Sequence, residues 1–391
     1  MTLFGKGAAI TGAGISQVGR KLMRPASDLL VEAALRALDD AGLTRDDIDG
    51  LTSYPGRLPG SSGSSPIGVT EARSALGLRT RWHSSGSEGP AQMSALMVAA
   101  MAVSSGMARH VMVFRLLTES SSQASGRQGV GAGATEIGSW MSWLVPMGAS
   151  SAANWAAMFA RRRMHEFGIT REQMARQPVI QRAYAQLNPD AVMNGKSLTD
   201  EEYLASRMIS DPLCLFDCDV PVDGAAVVIV SAADAARDLR KPPLRIEAMG
   251  AGLFGRESWD QREDLTTMAS QDSGLTLWQN TSLKPCDVDV AGLYDGFSVF
   301  VPMWLESLGF CAHGEGEAFI GAGNTAPGGS LPTNTGGGQL SAGRLHGYGL
   351  LHEVCLQLWG EAGSRQVPDA RVGVVGMGGG LLAGTSLLVR E

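Results

Sequence analysis

Apolar positions along this chain recur at two spacings, and the two alternate. Residues 7–14 read as a buried strand that ends in a glycine turn. Ser27 then opens a helix in which Leu30, Ala33, Ala34, Ala37 and Leu38 share one face, and Gly42 closes it. A second helix is predicted over 89–106, with Ala91, Ala95, Ala99 and Ala102 on a narrow, close-packing face. His110–Phe114 and Val227–Val230 read as strands, a helix is expected over Ala232–Leu239, and 153–168 form another helix. At Lys241-Pro242-Pro243 the pattern restarts. A strand over Leu244–Ala248 leads to Gly250 and Gly252, echoing Ile10–Gly14 and pointing to two similar halves. Near the end come a helix over 352–360 and strands at Val372–Val375 and Thr385–Val389. Strands alternating with helices imply sheets covered by helices on both faces.

Between the strand at 110–114 and the helix at 153–168 lies a segment rich in Ser, Gly and Thr, with Trp140, Trp143 and Pro146. It is too long for a plain connection and is expected to be a functional loop or lid. The organisation read from the sequence is therefore residues 1–240, including a 115–165 loop insertion, followed by residues 241–391.

Composition narrows the function classes. The chain has 391 residues, 44% hydrophobic and 18% charged, with a net charge of −7. The longest basic run is Arg161-Arg162-Arg163, so nucleic-acid binding is not expected. No secretion signal and no membrane span is read, and a cytoplasmic location is expected. The five cysteines form no metal-ligand spacing. Cys214 and Cys218 find no second pair, so no metal is expected. The glycines at 12 and 14 lack the third glycine and the prompt helix of a dinucleotide loop.

Four segments resemble the thiolase superfamily, in the family's order. They are Ser84–Gly106, Tyr294-Asp295-Gly296-Phe297, Asn334 through Gly336-Gly337-Gly338 to Gly343, and Gly376-Met377-Gly378-Gly379-Gly380. The resemblance is closest to the lipid-transfer branch, several of whose members are aldolases that shorten steroid side chains. Its markers here are Asn188-Pro189-Asp190-Ala191, Arg207 to Pro212, Val222-Asp223-Gly224-Ala225-Ala226 and Tyr294 to Ser298. The resemblance implies an α/β thiolase-like fold, two similar halves in a five-layer αβαβα arrangement. It also implies a homodimer, and a small partner protein with an OB fold and a zinc ribbon, often beside a MaoC-type hydratase.

Carried over residue by residue, the resemblance puts the nucleophilic cysteine at Gly89, with Ser87 or Glu88 if the register slips. The catalytic histidine falls on Arg344, the second cysteine on Gly376 and the oxyanion asparagine on Tyr294. All four depart from the thiolase pattern. An acyl-enzyme needs a nucleophile, which glycine cannot supply; Ser84, Ser85 or Ser87 would have to replace it, and only His83 is adjacent. A retro-aldol cleavage needs none: it takes a base for the β-hydroxyl proton, donors for the thioester enolate and an acid for its carbon.

Tyr294 is the expected proton carrier, with its phenolate favoured by Arg344. An arginine cannot itself be a base. Related aldolases are expected to carry a tyrosine where Arg344 stands, so His346 and Tyr348 are candidates for the second proton carrier. Asp295 is included in the site, with a backbone-orienting role as the alternative. Gly337, Gly338, Gly378 and Gly379 are expected to hold the coenzyme A thioester through backbone N–H groups. Coenzyme A enters as part of the substrate and no further cofactor is expected. The expected activity is cleavage of a β-hydroxyacyl-CoA, with a steroid side-chain ester as the acyl group. A lipid- or acyl-CoA-binding scaffold and a serine acyltransferase are the alternatives.

Overall fold

The computed structural model describes residues 7–58, 63–86, 88–125, 137–139 and 141–391. Ser87, Trp140 and the 126–136 stretch of the loop named above lie outside them. Eleven strands are present among the described residues: β1 (Ala8–Ile15), β2 (Gly50–Ser53), β3 (Trp82–Ser85), β4 (His110–Thr118), β5 (Met208–Ser210), β6 (Leu213–Cys214), β7 (Asp223–Ala232), β8 (Leu244–Gly250), β9 (Val290–Leu293), β10 (Val372–Gly379) and β11 (Leu382–Arg390). Nine of them form one sheet in the order β3-β2-β4-β7-β1-β8-β11-β10-β9, while β5 and β6 pair separately.

The sheet has a narrow seam. β1 and β8 pair only at Ala9↔Arg245 and Ile10↔Leu244. Packing shows what the seam does. Along β4, Val111 and Val113 join a core with the helices Met93–Ser104 and Tyr348–Trp359, which also receives Ile246 of β8 and Val375 of β10. Met112, Phe114 and Leu116 face the opposite side, against the helices Ala26–Ala41 and Val69–Leu76. On the far side, Ala248, Leu293, Val374 and Leu387 pack on Ala269–Gln279 and Phe300–Ser307. The strands alternate faces with period two, so two helices lie between two sheet portions and helices cover both outer faces. This is the five-layer αβαβα arrangement, with both sheet portions joined at one seam.

Gly12 and Gly14 have a packing reason. A methyl on Gly14 would stand 2.3 Å from the carbonyl oxygen of Ala33, and one on Gly12 would stand 2.6 Å from that of Ala37. The helix Ala26–Ala41 therefore presses its backbone onto β1. Some expected bounds shift. The helix expected from residue 89 starts at Met93, because Gly89 and Ala91 have φ of +135° and +51° and cannot continue a helix. The helix expected over Ala232–Leu239 is the single turn Ala233–Ala236, and the one expected from 352 begins at Tyr348. The long loop holds the helix Glu119–Ala124 directly after β4 and a turn at Met141–Leu144.

Candidate active site

The four segments singled out in the sequence are stitched together pairwise. Tyr294 N–H donates to the Gly376 carbonyl at 3.0 Å. Both carboxylate oxygens of Asp295 accept from Gln339 N–H, at 2.9 and 3.0 Å. The Tyr348 hydroxyl donates to the Gln92 carbonyl at 3.2 Å. A methyl on Gly378 would stand 2.5 Å from the Ala91 methyl carbon.

Neither position aligned with a thiolase cysteine has room for one. At Gly376 an added side chain meets the Trp304 indole at 2.9 Å. At Gly89 the backbone stands at φ +135°, where an L side chain is strained, and the added carbon would meet Ser94 Oγ at 2.5 Å. Ser84 and Ser85 lie on β3, at the edge of the sheet, and His83 and Ser84 point to opposite faces of that strand. Cys218 lies near Asp219 and Arg344, but its thiol donates to the Cys214 carbonyl at 3.6 Å, and burial pushes it up to about 12. It is held as a thiol, not a thiolate.

In place of a thiol stands a buried polar cluster. Arg344 donates from Nη1 to Asp219 Oδ1 at 2.8 Å and from Nη2 to Glu119 Oε2. Asp219 and Glu119 have side chains only 8% and 4% exposed. They share one cation and respond differently. Burial pushes Asp219 up to about 7, with Arg344 opposing. Burial acts the same way on Glu119, but Arg344 prevails and holds it down to about 2.

The expectation that Arg344 favours a Tyr294 phenolate is corrected here. Burial pushes the phenol above its ordinary value, the negative charge of Asp219 adds to this, and Arg344 only offsets part of it. Tyr294 is a phenol that can give a proton, not a phenolate waiting to take one.

His346 is also redirected. Its Nδ1 lies 2.6 Å from Nη2 of Arg115, a nearly fully buried guanidinium. Guanidinium nitrogens only donate, so Nδ1 accepts and the ring proton sits on Nε2. Nε2 faces Glu119 Oε1 at 3.9 Å. Burial lowers Arg115 only to about 10, so it stays cationic at neutral pH. A ring whose Nδ1 is held by a guanidinium is a poor proton shuttle through that nitrogen. Tyr348, the other candidate, is fully buried, its hydroxyl is committed to the Gln92 carbonyl, and burial raises it.

Asp295 takes the backbone role given above as its alternative. It is fully buried and pins the turn at 338–340 through Gln339 and Leu340 N–H. Gly338 must be glycine here: its φ is +60°, and an added carbon would stand 2.0 Å from Asp295 Oδ2. Gly337 does not offer its N–H, which donates to the Asn334 carbonyl at 2.8 Å. Gly378 and Gly379 end β10, paired with Ala383 and Leu382 of β11.

Among the described residues, several buried donors have no hydrogen-bond partner: Arg344 Nε, and Nε and Nη1 of Arg115. Gln339 acts on the Tyr294 hydroxyl, and Arg115 lies within electrostatic reach of Tyr294 and Tyr348. Orphaned buried donors are costly unless a ligand or water meets them, and here they belong to two cations within electrostatic reach of a phenol. Such an arrangement suits a developing oxyanion.

The family described as Thiolase C-terminal domain-like matches residues 253–390. A steroid side-chain-cleaving aldolase of Thermomonospora curvata is 36% identical over 373 residues, covering 90% of each chain. The chain belongs to the thiolase superfamily, in its steroid side-chain-cleaving aldolase branch. A second aldolase-branch relative, the 17-hydroxy-3-oxo-4-pregnene-20-carboxyl-CoA lyase of Mycobacterium tuberculosis, is 36% identical over 363 residues, covering 90% of this chain and 92% of that one. A solved Ltp2-ChsH2(DUF35) aldolase superposes with a TM-score of 0.88 at 33% identity, covering 100% of this chain and 99% of the other. A thiolase-superfamily aldolase without a cysteine at either thiolase position agrees with the geometry at Gly89 and Gly376.

Sequence reasoning missed Arg115, Glu119 and Asp219. One signal was available for the first: Arg115 is a charged residue in an otherwise apolar strand, and such residues are seldom fully buried unless paired.

Proposed function

We propose that this chain cleaves a β-hydroxyacyl-CoA thioester by a retro-aldol reaction, releasing a ketone or aldehyde and a shorter acyl-CoA. The acyl group is a steroid side chain, in keeping with what its relatives are named for. The observation that carries this reading is a buried phenol within electrostatic reach of guanidinium donors left without partners among the described residues, at a site whose two thiol positions are closed by Trp304 and by backbone geometry.

The residues divide the work as follows. The Arg344 and Gln339 donors hold the thioester oxygen as it gains charge when the Cα–Cβ bond breaks. Tyr294, kept as a phenol by burial, protonates the enolate carbon. Coenzyme A is part of the substrate, and the proposed chemistry uses no further cofactor.

The chain is further proposed to work as a cytoplasmic homodimer joined at β3, an edge strand with one neighbour in the sheet. A small OB-fold and zinc-ribbon partner is also proposed, supported by the similarity to the solved Ltp2-ChsH2(DUF35) aldolase. A MaoC-type hydratase would supply its β-hydroxyacyl substrate. Residues 1–240 and 241–391 are taken as repeated halves.

The test is Tyr294→Phe in the chain co-purified with its partner, assayed with a tertiary β-hydroxyacyl-CoA. Turnover is expected to drop by about 10²–10⁴-fold with KM little changed. Equal turnover would remove Tyr294 from the chemistry. Tight binding without any cleavage by the wild-type complex would favour a lipid- or acyl-CoA-carrying scaffold instead.

A further inference from the structure

The cleavage needs a base for the β-hydroxyl proton, and Tyr294, His346 and Tyr348 are poorly suited to that role. Asp219 is a carboxyl that the fold brings close to Tyr294. Its segment is clamped between two parts of the site. On one side Asp219 N–H donates to the Gly296 carbonyl at 3.2 Å, and Cys218 bridges to Phe297. On the other side Val220 N–H donates to the Gln339 carbonyl at 3.0 Å, and Arg344 N–H donates to the Val220 carbonyl at 2.8 Å. The Tyr294 ring lies over Gly296, where an added methyl would be 2.7 Å from its Cε1 and 3.4 Å from its hydroxyl. The Asp219 backbone is bonded to that same Gly296, which places the carboxyl and the phenol in one neighbourhood.

The Asp219 carboxyl is also half-used. Oδ1 accepts from Arg344, while Oδ2 has no hydrogen-bond partner among the described residues. We propose that Asp219 is a catalytic residue: it takes the β-hydroxyl proton of the substrate and afterwards returns it to Tyr294. This rests on the retro-aldol reading above. The hydroxyl proton moves to the carboxylate, and the O–H electron pair becomes the new C=O bond. The Cα–Cβ bond breaks, its pair passing into the thioester enolate. Tyr294 gives its proton to Cα and becomes a phenolate, and the proton on Asp219 then restores the phenol. No proton is gained or lost overall, and no co-reactant is required.

The neighbouring carboxyls are excluded on the same grounds. Glu119, held down to about 2, is too weak a base. Asp295 is raised by burial to about 7, but both its oxygens already accept backbone N–H groups. Asp219 reaches about 7 with an oxygen to spare. The groups that face it are Arg344, Glu119, Tyr294, Asp295 and Cys218.

The experiment measures kcat and KM across the neutral pH range for the full chain with its partner, as wild type, D219N, D219E and E119Q. In the wild type, turnover should be lost as pH falls through the Asp219 transition, because only the carboxylate accepts a proton. D219N keeps the acceptor for Arg344 but cannot take the proton. It should lose about 10²–10⁴-fold in kcat with KM within a few-fold, and its acid limb should vanish. E119Q removes a negative neighbour, so its acid limb should move to lower pH. D219E should retain an acid limb at a shifted position. D219N turnover within tenfold of wild type, or an acid limb left in place, overturns the proposal while the lyase reading stands. Should D219N fail to fold, an unshifted limb in both D219E and E119Q overturns it equally. A wild-type complex without cleavage overturns both.

Discussion

Nη2 of Arg115 donates to Nδ1 of His346 at 2.6 Å, and that bond sets the tautomer of a histidine that a motif reading would make a proton shuttle. The guanidinium has no proton to accept and no pair to offer. Protonating Nδ1 would set two donors against each other in a nearly dry place. The bond to Arg115 therefore favours the tautomer with its proton on Nε2. Nitrogen-15 spectra of the ring should show Nδ1 as the nitrogen without the proton. H346Q, which retains a donor toward Glu119, should cost less than the 10²–10⁴-fold that loss of a general acid or base costs. A loss in that range would restore His346 to the proton path.

Gly376 faces the Trp304 indole at a distance no side chain can share. Restoring the family's thiol there should therefore not restore the family's chemistry. G376C is expected to displace Trp304, lower stability by about 1–3 kcal/mol as overpacked sites do, and leave no thiolase activity. A covalent acyl-enzyme trapped on G376C, seen by mass spectrometry, would contradict this.

The two levels of this structure were not equally legible in the sequence. Leu30, Ala33, Ala34, Ala37 and Leu38 announce their helix because the pattern is local. The segments at 294–297, 334–343 and 376–380 announce themselves because each carries its own spacing. The partners of Arg344 do not. Asp219 and Glu119 stand 125 and 225 residues away from it, so only the closed fold brings them together. The Tyr294 phenol was misread for a related reason. Arg344 does lie near it, but burial and Asp219 act against the cation, and burial cannot be read from a motif. β2, β3 and β9 were also missed, since each is only four residues long and too short to display a period.

Arg163, the last residue of the chain's longest basic run, is 1% exposed and bridges two carboxylates. It donates to Glu306 at 2.5 and 2.9 Å and to Glu317 at 2.6 and 3.0 Å. Both acids are 4% exposed, and they join the helix Ala152–Phe167 to elements behind the site. R163M would leave two buried negative charges without a cation. A loss of about 3–5 kcal/mol is expected, as for other broken buried pairs, read as a lower urea midpoint. Loss of less than about 1 kcal/mol, the range of an exposed pair, would mean that water reaches the triad.

Asp295 should leave a signature in stability as well as in structure. Burial raises its carboxyl from the ordinary 3.8 to about 7. Between those values the folded chain keeps a proton that the unfolded chain has released. The stability this brings is present in full below the ordinary value and is lost as pH rises through about 7. D295N has no such proton, while Asp219, raised in the same direction, is present in both chains. The stability of wild type relative to D295N should therefore fall steadily from mildly acid to neutral pH, as read from urea midpoints at each pH. A difference that grows with pH would mean the Asp295 carboxyl is ionised in the fold, held by the Gln339 and Leu340 N–H groups more strongly than burial opposes it.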